Sequence, residues 1–477
     1  MYCQLEALRH CLPSSVGKIL EELPETLDET YERVLKEINK ANRDHAHRLL
    51  QFLTVALRPL RVEELAEVLA IDFDAPAERG IPPSNPNWRW TDQHQAVLST
   101  CSSLIAIVVD GDYQVVQFSH FSVKEFLTSK RLARSSGDIS RYHILLEPAN
   151  TILAQACLGV LLRLDDNVDV YNPDDIPLLT YAARYWIDHA RFENVSSHIR
   201  DAMEYFLDAD KPHWTSWTRV QMVDVLWESF TTWGEGAAFF PLYYASLGGF
   251  YDLAELLVGK HPEHINARGG RMAVPLVAAL RGKHFQIAEL LHRHGAEVDV
   301  RDDDERTPLR AACRAEVLDI VEWLLNHGAD VNIQNHSLWT PLHSAVSAGR
   351  LEVLRMLIEH NADIHMRTSF GKAPLHLAAN TNNKDDQVDI MQVLLDNGAD
   401  PNARDNDNST PLHHSSWWQE GEDIRPRIGT VEGTRLLLKH GAIIDAEDNE
   451  GKTPLQLALE HERDDIATCL KEHGATR

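Results

Sequence analysis

TPLHSAVSAGRLEVLRMLIEHNADIHMRTSFGKAPLHLAA, residues 340–379, carries one phrase twice, at Thr340 and again at Ala373. Outward from there the phrase returns as PLYYAS at Pro241, PLVAAL at Pro275, TPLRAA at Thr307, TPLHHSS at Thr410 and TPLQLA at Thr453. The prolines at 241, 275, 308, 341, 374, 411 and 454 stand 34, 33, 33, 33, 37 and 43 residues apart. A period in this range marks stacked supersecondary units, each unable to bury its apolar face alone.

Within a unit, Thr before Pro reads as an N-cap followed by the first helical residue, where the missing N–H costs nothing. Leu and the small Ala pair allow close helix packing. Ile320, Leu324 and Leu325, then Leu354, Met356 and Leu357, form the apolar stripe of a second helix. Gly295, Gly328, Gly398, Gly441 and Gly474 supply a left-handed residue that ends it, and Asn361 takes that place once. From this stopper to the next proline the distance is 13 residues throughout. From proline to stopper it is 20 in ordinary units, 24 from Pro374 and 30 from Pro411. The extra four and ten residues are therefore predicted at the turn between the two helices. Glu316, standing where the next unit has Gly349, predicts a strained turn. The polar HERDDIATCLKEHGATR segment predicts a capping unit with which the array ends.

The phrase resembles the ankyrin signature T-P-L-H-x-A, with its period near 33 residues. That resemblance implies a non-enzymatic protein-binding array using its fingertips and inner helices as a concave surface. Leu338, Trp339 and Phe370 are the apolar fingertip candidates. Asp302, Asp303 and Asp304, then Asp405 and Asp407, then Asp448 and Glu450 are the acidic ones, and they favour a protein partner with a basic segment. Trp417 and Trp418, which introduce the ten-residue insertion, form a separate candidate.

In the first half, Thr26 and Glu29 form a capping box ahead of Leu27, Tyr31, Leu35 and Ile38, predicting a helix over 26–42. Helices at 45–57, 62–70 and 91–102 follow, then strands at 104–109 and 114–119 around Asp110–Gly111–Asp112. Three helices and a hairpin in this order are the layout of a winged helix. Helical spacing continues over 150–164, 177–189, 195–207 and 217–230. Trp186, Trp214, Trp217, Trp227 and Trp233 cluster there and read as core that also covers the front of the array.

YCQLEALRHCLP, LPETLDETYERVL, LRPLRVEELAEVLAI, QFSHFSVKEFLTS and YAARYWIDHAR resemble the region following the nucleotide-binding module in fungal NACHT-type STAND proteins, which are NLR-like. The resemblance implies a sensor arm of a signalling protein. It also implies a regulatory half whose ATPase is encoded upstream or supplied in trans. Because Met1 stands just before YCQLEALRHCLP, the ATPase is expected to be missing, through gene truncation or as a short paralogue. The expected fold is mainly α. Linker helices at 1–44, a winged-helix-like domain at 45–130 and a capping helical domain at 131–235 precede an ankyrin solenoid of about seven repeats at 236–477.

Composition narrows the function further. The 477 residues carry a net charge of −26, and the parts before and after residue 235 carry −13 each. Neither part is a basic arm for nucleic acid. The helix at 91–102 holds no Lys or Arg and the hairpin tip is acidic, so DNA reading is disfavoured. No secretory signal opens the chain, and the apolar stretch 151–162 is too short to span a bilayer. Six scattered cysteines without a CxxC pair suit free thiols and a cytoplasmic protein, with the nucleus left open.

Catalytic motifs are wanting. The only GKT, at Gly451, has Ala446 where a phosphate loop needs Gly. His343, His376 and His413 share one repeat slot, too far apart to hold one zinc, and are expected to hydrogen-bond within the turn. HPEH at His261–His264 lacks the HExxH context, and no nucleophile elbow is present. No catalytic residue, cofactor or metal is expected. Partners are expected to be proteins, not nucleic acid or membrane, and the oligomeric state stays open.

Overall fold

The computed structural model describes residues 26–85, 88, 92–101, 103–111, 113–135, 137–164, 176–218, 220, 240–268, 274–301, 305–380, 384–416, 418–419 and 427–476. The YCQLEALRHCLP phrase, Asp112, Trp227, Trp233, Asp302, Asp303, Asp304 and Trp417 lie outside the described residues. The chain divides into two compact units, Met1–His264 and Ile265–Arg477.

The first unit opens with a helix at Leu27–Glu37, where Thr26 Oγ1 accepts the Glu29 N–H at 3.2 Å. It is shorter than its pattern suggests: Ile38 leaves helical geometry, and a separate 3₁₀ turn follows at Lys40–Asn42. Helices Arg43–Val55, Val62–Leu69 and Gln93–Cys101 surround a small antiparallel sheet. Its strands are β1 (Leu60–Arg61), β2 (Ile105–Asp110) and β3 (Tyr113–Phe118), in the order β1-β3-β2. Leu60 pairs with Val116, and the wing runs from Ile105 opposite Phe118 to Asp110 opposite Tyr113. Leu49, Leu50, Phe52, Leu60, Leu65, Val97 and Val116 are wholly buried, and they form the apolar core that three helices and a hairpin require.

Beyond the wing, the apolar helix Leu146–Leu161 packs against Leu179–Ala190. A buried polar chain runs between them: Asn150 Oδ1 meets His189 Nδ1 at 2.8 Å, and His189 Nε2 meets the Tyr181 hydroxyl at 2.8 Å. The helix expected over 195–207 is broken at Ile199 into Val195–His198 and Arg200–Phe206. Trp186, Trp214 and Trp217 are core, as expected. Phe250 stacks on Trp186 at 6.2 Å, and Tyr244 meets Trp214 and Trp217 edge-on at 5.7 and 4.6 Å. These rings belong to the first helix pair, Pro241–Gly248 and Tyr251–Lys260, which is therefore part of the upstream compact unit.

The second unit stacks six more pairs in two layers. First helices at Pro308–Ala315, Pro341–Ser347, Pro374–Ala379, Pro411–Ser416 and Pro454–Glu460 pack on their successors. Second helices at Leu318–Asn326, Leu351–Glu359, Lys384–Asp396, Val431–Lys439 and Asp464–Glu472 do the same. Pro275–Arg281 and Phe285–Arg293 make the sixth pair. Thr307, Thr340 and Thr453 cap their helices ahead of proline, and Asn361 ends its unit at φ 65°.

The two insertions fold differently. The four extra residues extend a second helix to 13 residues (Lys384–Asp396) against nine in Leu351–Glu359, about one added turn at 3.6 residues each. They are thus helix and not loop. Within the longer insertion, between the helices, β4 (Trp418–Gln419) pairs antiparallel to β5 (Arg427–Ile428). Its base is fastened where the Arg463 guanidinium donates to the Gly429 carbonyl at 2.8 Å.

The strain expected at Glu316 is present. Its φ is 58°, matching Gly349 at 71°, and Lys283 and Glu462 adopt the same conformation at 58° and 56°. Glu316 is held by Arg350 of the next unit at 2.8 Å, and Lys283 by Asp319 at 2.9 Å. A salt link to the neighbouring unit thus accompanies the unfavourable backbone at both positions.

Candidate functional site

The fingers at 335–339, 368–372, 405–409 and 448–452 are short hairpins built by the same hydrogen bonds. The Leu338 N–H donates to the Asn335 carbonyl at 2.8 Å, and the Asn335 N–H to Trp339 at 3.1 Å. Gly371 with Thr368, Asn408 with Asp405 and Gly451 with Asp448 repeat the first bond at 2.8, 3.0 and 3.1 Å. This is a tight turn followed by a left-handed residue, which favours Gly or Asn at the last position. Gly371, Asn408 and Gly451 obey, with φ of 74°, 60° and 75°. Leu338 and Glu305 do not: Leu338 holds φ 57° with a branched side chain, and Glu305 holds φ 58° in the same slot.

The residue six before each proline accepts the turn's N–H groups. Asn335 Oδ1 accepts Trp339 at 2.8 Å, and Asp448 Oδ1 accepts Glu450 and Lys452, both at 2.9 Å. Asp405 Oδ1 accepts Asp407 at 3.0 Å and Ser409 at 2.8 Å, while its Oδ2 accepts His414 Nε2 at 2.7 Å. Asp405 is consequently buried, and the expectation of an open acidic contact there is corrected. Asp448 is half-buried and occupied with its own turn.

Adjacent tips are stitched together. The Ser369 N–H donates to Ser337 at 2.9 Å, Asn406 to Phe370 at 3.1 Å and Asn449 to Asp407 at 3.0 Å. Seven residues before Pro308, Pro341, Pro374 and Pro411 a long donor crosses to the next finger. Gln334 Nε2 reaches the Arg367 carbonyl at 3.3 Å, the Arg367 guanidinium reaches Arg404 at 2.5 Å, and that of Arg404 reaches Glu447 at 2.6 Å. Sequence reading missed this ladder. Its signal was Arg301, Gln334, Arg367 and Arg404 recurring in one slot.

On this stitched row Phe370 is 67% exposed and Leu338 43%, while Trp339 is half-buried beside His343. Asp407 and Glu450 are exposed and occupy the slot that Phe370 fills on its own tip. Trp418 heads β4, in the insertion between the two helices. The tips thus bring Leu338, Phe370, Asp407 and Glu450 into one row.

Behind the tips, His343, His376 and His413 do what their slot suggested. Each donates Nε2–H to a carbonyl of the following finger, those of Lys372, Ser409 and Lys452, at 3.2 Å. Each accepts at Nδ1 a backbone N–H of its own cap, from Thr340, Ala373 and Thr410, at 3.2, 3.1 and 3.1 Å. Burial lowers the pKa of His343 to about 4 and that of His376 to about 3, so both rings are neutral at pH 7. Burial also raises the Cys313 thiol, which stays protonated and inert.

Val108 and Val109 are exposed on β2, and the Arg61 guanidinium lies 3.4 Å from the Tyr113 ring centroid. No helix among the described residues is long and apolar enough to cross a membrane.

Comparison with known proteins agrees with this geometry. Residues 276–368 match a family described as ankyrin repeats in three copies, and residues 370–406 match the ankyrin repeat. The C-terminal array is made of ankyrin repeats. Residues 31–137 match the winged helix domain of GPI inositol-deacylase, so a winged helix precedes the array. The chain is 29% identical over 294 residues to azaphilone pigments biosynthesis cluster protein L of Monascus ruber, covering 57% of this chain and 60% of that protein. It is 26% identical over 195 residues to vegetative incompatibility protein HET-E-1 of Podospora anserina, covering 36% of this chain and 13% of that protein. The ankyrin pairs at Pro241–Lys260, Pro411–Lys439 and Pro454–Glu472 lie outside the matched residues but keep the same two-helix plan.

Proposed function

We propose that this chain is a non-enzymatic protein-binding module whose ankyrin fingertips dock a partner, as the sensor arm of an NLR-like signalling protein. The observation that carries it is Leu338. An exposed apolar side chain on a left-handed backbone is favoured neither by hydration nor by conformation, and such strain clusters at functional positions. Phe370 on the adjoining tip extends the apolar contact, and aromatic residues are favoured anchors in interfaces. Asp407 and Glu450 further along the row suit a partner with a basic segment. The match to a vegetative incompatibility protein supports the signalling role, as does the order of winged helix, helical segment and repeats. The same features support an alternative, the regulatory half of a STAND NTPase whose ATPase is encoded upstream or supplied in trans.

The test is affinity capture from extract of the source organism, with the wild-type chain, a Leu338→Asn/Phe370→Ala double variant and a Leu459→Ala control. Leu459 is exposed in the last repeat. A protein retained by wild type and control but lost by the double variant supports the reading. Equal capture by all three overturns it.

A further inference from the structure

We propose that His261, Glu263 and His264 form a site for one divalent transition-metal ion of the zinc type. The three lie at the end of the first repeat's second helix, Tyr251–Lys260, on the 3₁₀ turn Pro262–His264. Their ligand atoms all stand within 4.8 Å of one another. His261 Nδ1 is 3.2 Å from Glu263 Oε1, and His264 Nε2 is 3.9 Å from the same oxygen. Zinc bonds of about 2.0–2.1 Å at tetrahedral angles place neighbouring donor atoms roughly 3.3 Å apart. One edge of the triangle already has that length, and the others close by rotation of the Glu263 and His261 side chains toward His264.

The backbone beneath the donors is fixed. The His261 N–H donates to Leu257 at 2.8 Å, closing the helix, and the His264 N–H donates to His261 at 3.0 Å, closing the turn. The Phe240 ring packs on His264 with centroids 4.5 Å apart, which restricts that imidazole. Pro262 restricts the turn further. A cation is also favoured by the field, because the site caps a ten-residue helix at its negative C-terminal end. Two imidazoles and one carboxylate match the preference of zinc and its neighbours for nitrogen with one hard oxygen. Three protein ligands leave a fourth position for water. Sequence reading set HPEH aside because it lacks the HExxH spacing of a helical site. Here convergence comes from a tight turn, in which residues one, three and four reach one point.

The test is zinc titration of the whole chain by calorimetry against a competing chelator, because 25 histidines give a diffuse background. The arms are wild type, His264→Ala, a His261→Ala/Glu263→Gln double variant, and a His336→Ala control. Glu263 and His336 are exposed and the His261 side chain is 41% exposed, so those changes leave the fold intact. The expected result is one equivalent bound more tightly than the background, weakened at least about tenfold in both site variants and unchanged in the control. Cobalt bound in that equivalent is expected to show the intense visible bands of a four-coordinate ion. The proposal is overturned by a wild-type titration with no distinct tight equivalent. It is equally overturned by a tight equivalent that survives in the double variant.

Discussion

Asp405 Oδ2 and His414 Nε2 share a 2.7 Å hydrogen bond in which the two side chains are 1% and 4% exposed. The bond joins a fingertip to the first helix behind it, since Asp405 Oδ1 is simultaneously accepting the turn's own N–H groups. Burial pushes the Asp405 carboxyl up, yet hydrogen bonds from His414 and the Ser409 N–H outweigh it and hold the group below the usual carboxylate range. Asp448 builds the next finger's turn in the same way, and it is only half-buried. Asp405→Ala is therefore expected to cost about 3–5 kcal/mol, because it strands a buried imidazole and two N–H groups. Asp448→Ala is expected to cost about 1–2 kcal/mol, since water replaces its bonds. Urea unfolding of both variants checks this, and equal costs would show the His414 bond to be idle.

The buried histidines make the array sensitive to acid. His343 binds its proton near pH 4 when folded and near 6.5 when unfolded, because burial disfavours the imidazolium. Between those values the unfolded chain binds more protons, so stability rises with pH across that window. The contribution is complete above about pH 6.5 and falls by up to ~1.4 kcal/mol per pH unit as the medium is acidified toward pH 4. His376 and His413 are depressed in the same direction, also by burial, and steepen the slope. Unfolding midpoints at pH 7.5 and 5.0 measure it, and His343→Asn is expected to flatten the difference. Identical midpoints would mean that these rings are protonated in the folded state.

The repeat was legible because its physics is local: a threonine cap, a proline and a left-handed stopper each act within a few residues. Asn361 in a glycine slot and Glu316 in a strained turn could both be found by alignment of the chain with itself. Asp405 is not legible in this way, because polarity alone suggests exposure and only the partner His414, nine residues on, turns it inward. The four-residue insertion reads as loop in the sequence because spacing reveals where residues are added, not whether they join a helix. The stitching of Arg367 to Arg404 depends on fingers 37 residues apart coming side by side. The composition of one finger alone does not announce it.

Gly371 and Gly451 occupy the same fingertip slot with φ of 74° and 75°, but their surroundings differ. A Cβ at Gly371 would lie 2.4 Å from Asn406 Oδ1 and 2.7 Å from its backbone nitrogen, whereas one at Gly451 meets nothing within 4 Å. Gly451→Ala is thus expected to cost only the left-handed penalty of about 1–2 kcal/mol. Gly371→Ala adds displacement of the Asn406 backbone, whose N–H donates to Phe370, and is expected to cost at least ~1 kcal/mol more. Thermal unfolding of the pair checks this. Equal losses would mean that the neighbouring tip gives way freely.

Leu338→Asn separates binding from stability in one substitution. Asn408 already holds this slot on another finger at φ 60°, so the replacement copies a solution the chain itself uses. Asparagine tolerates the left-handed conformation, and relief of strain is expected to raise stability by up to ~1 kcal/mol. The apolar contact is lost at the same time. If Leu338 is an anchor, partner affinity falls by at least about 1 kcal/mol although the protein is firmer. That opposition is characteristic of residues kept for function at the expense of the fold. Unfolding free energy and partner affinity measured on the same preparation decide it. A variant both stabler and fully competent in binding would remove Leu338 from the docking surface and leave its strained backbone without a function.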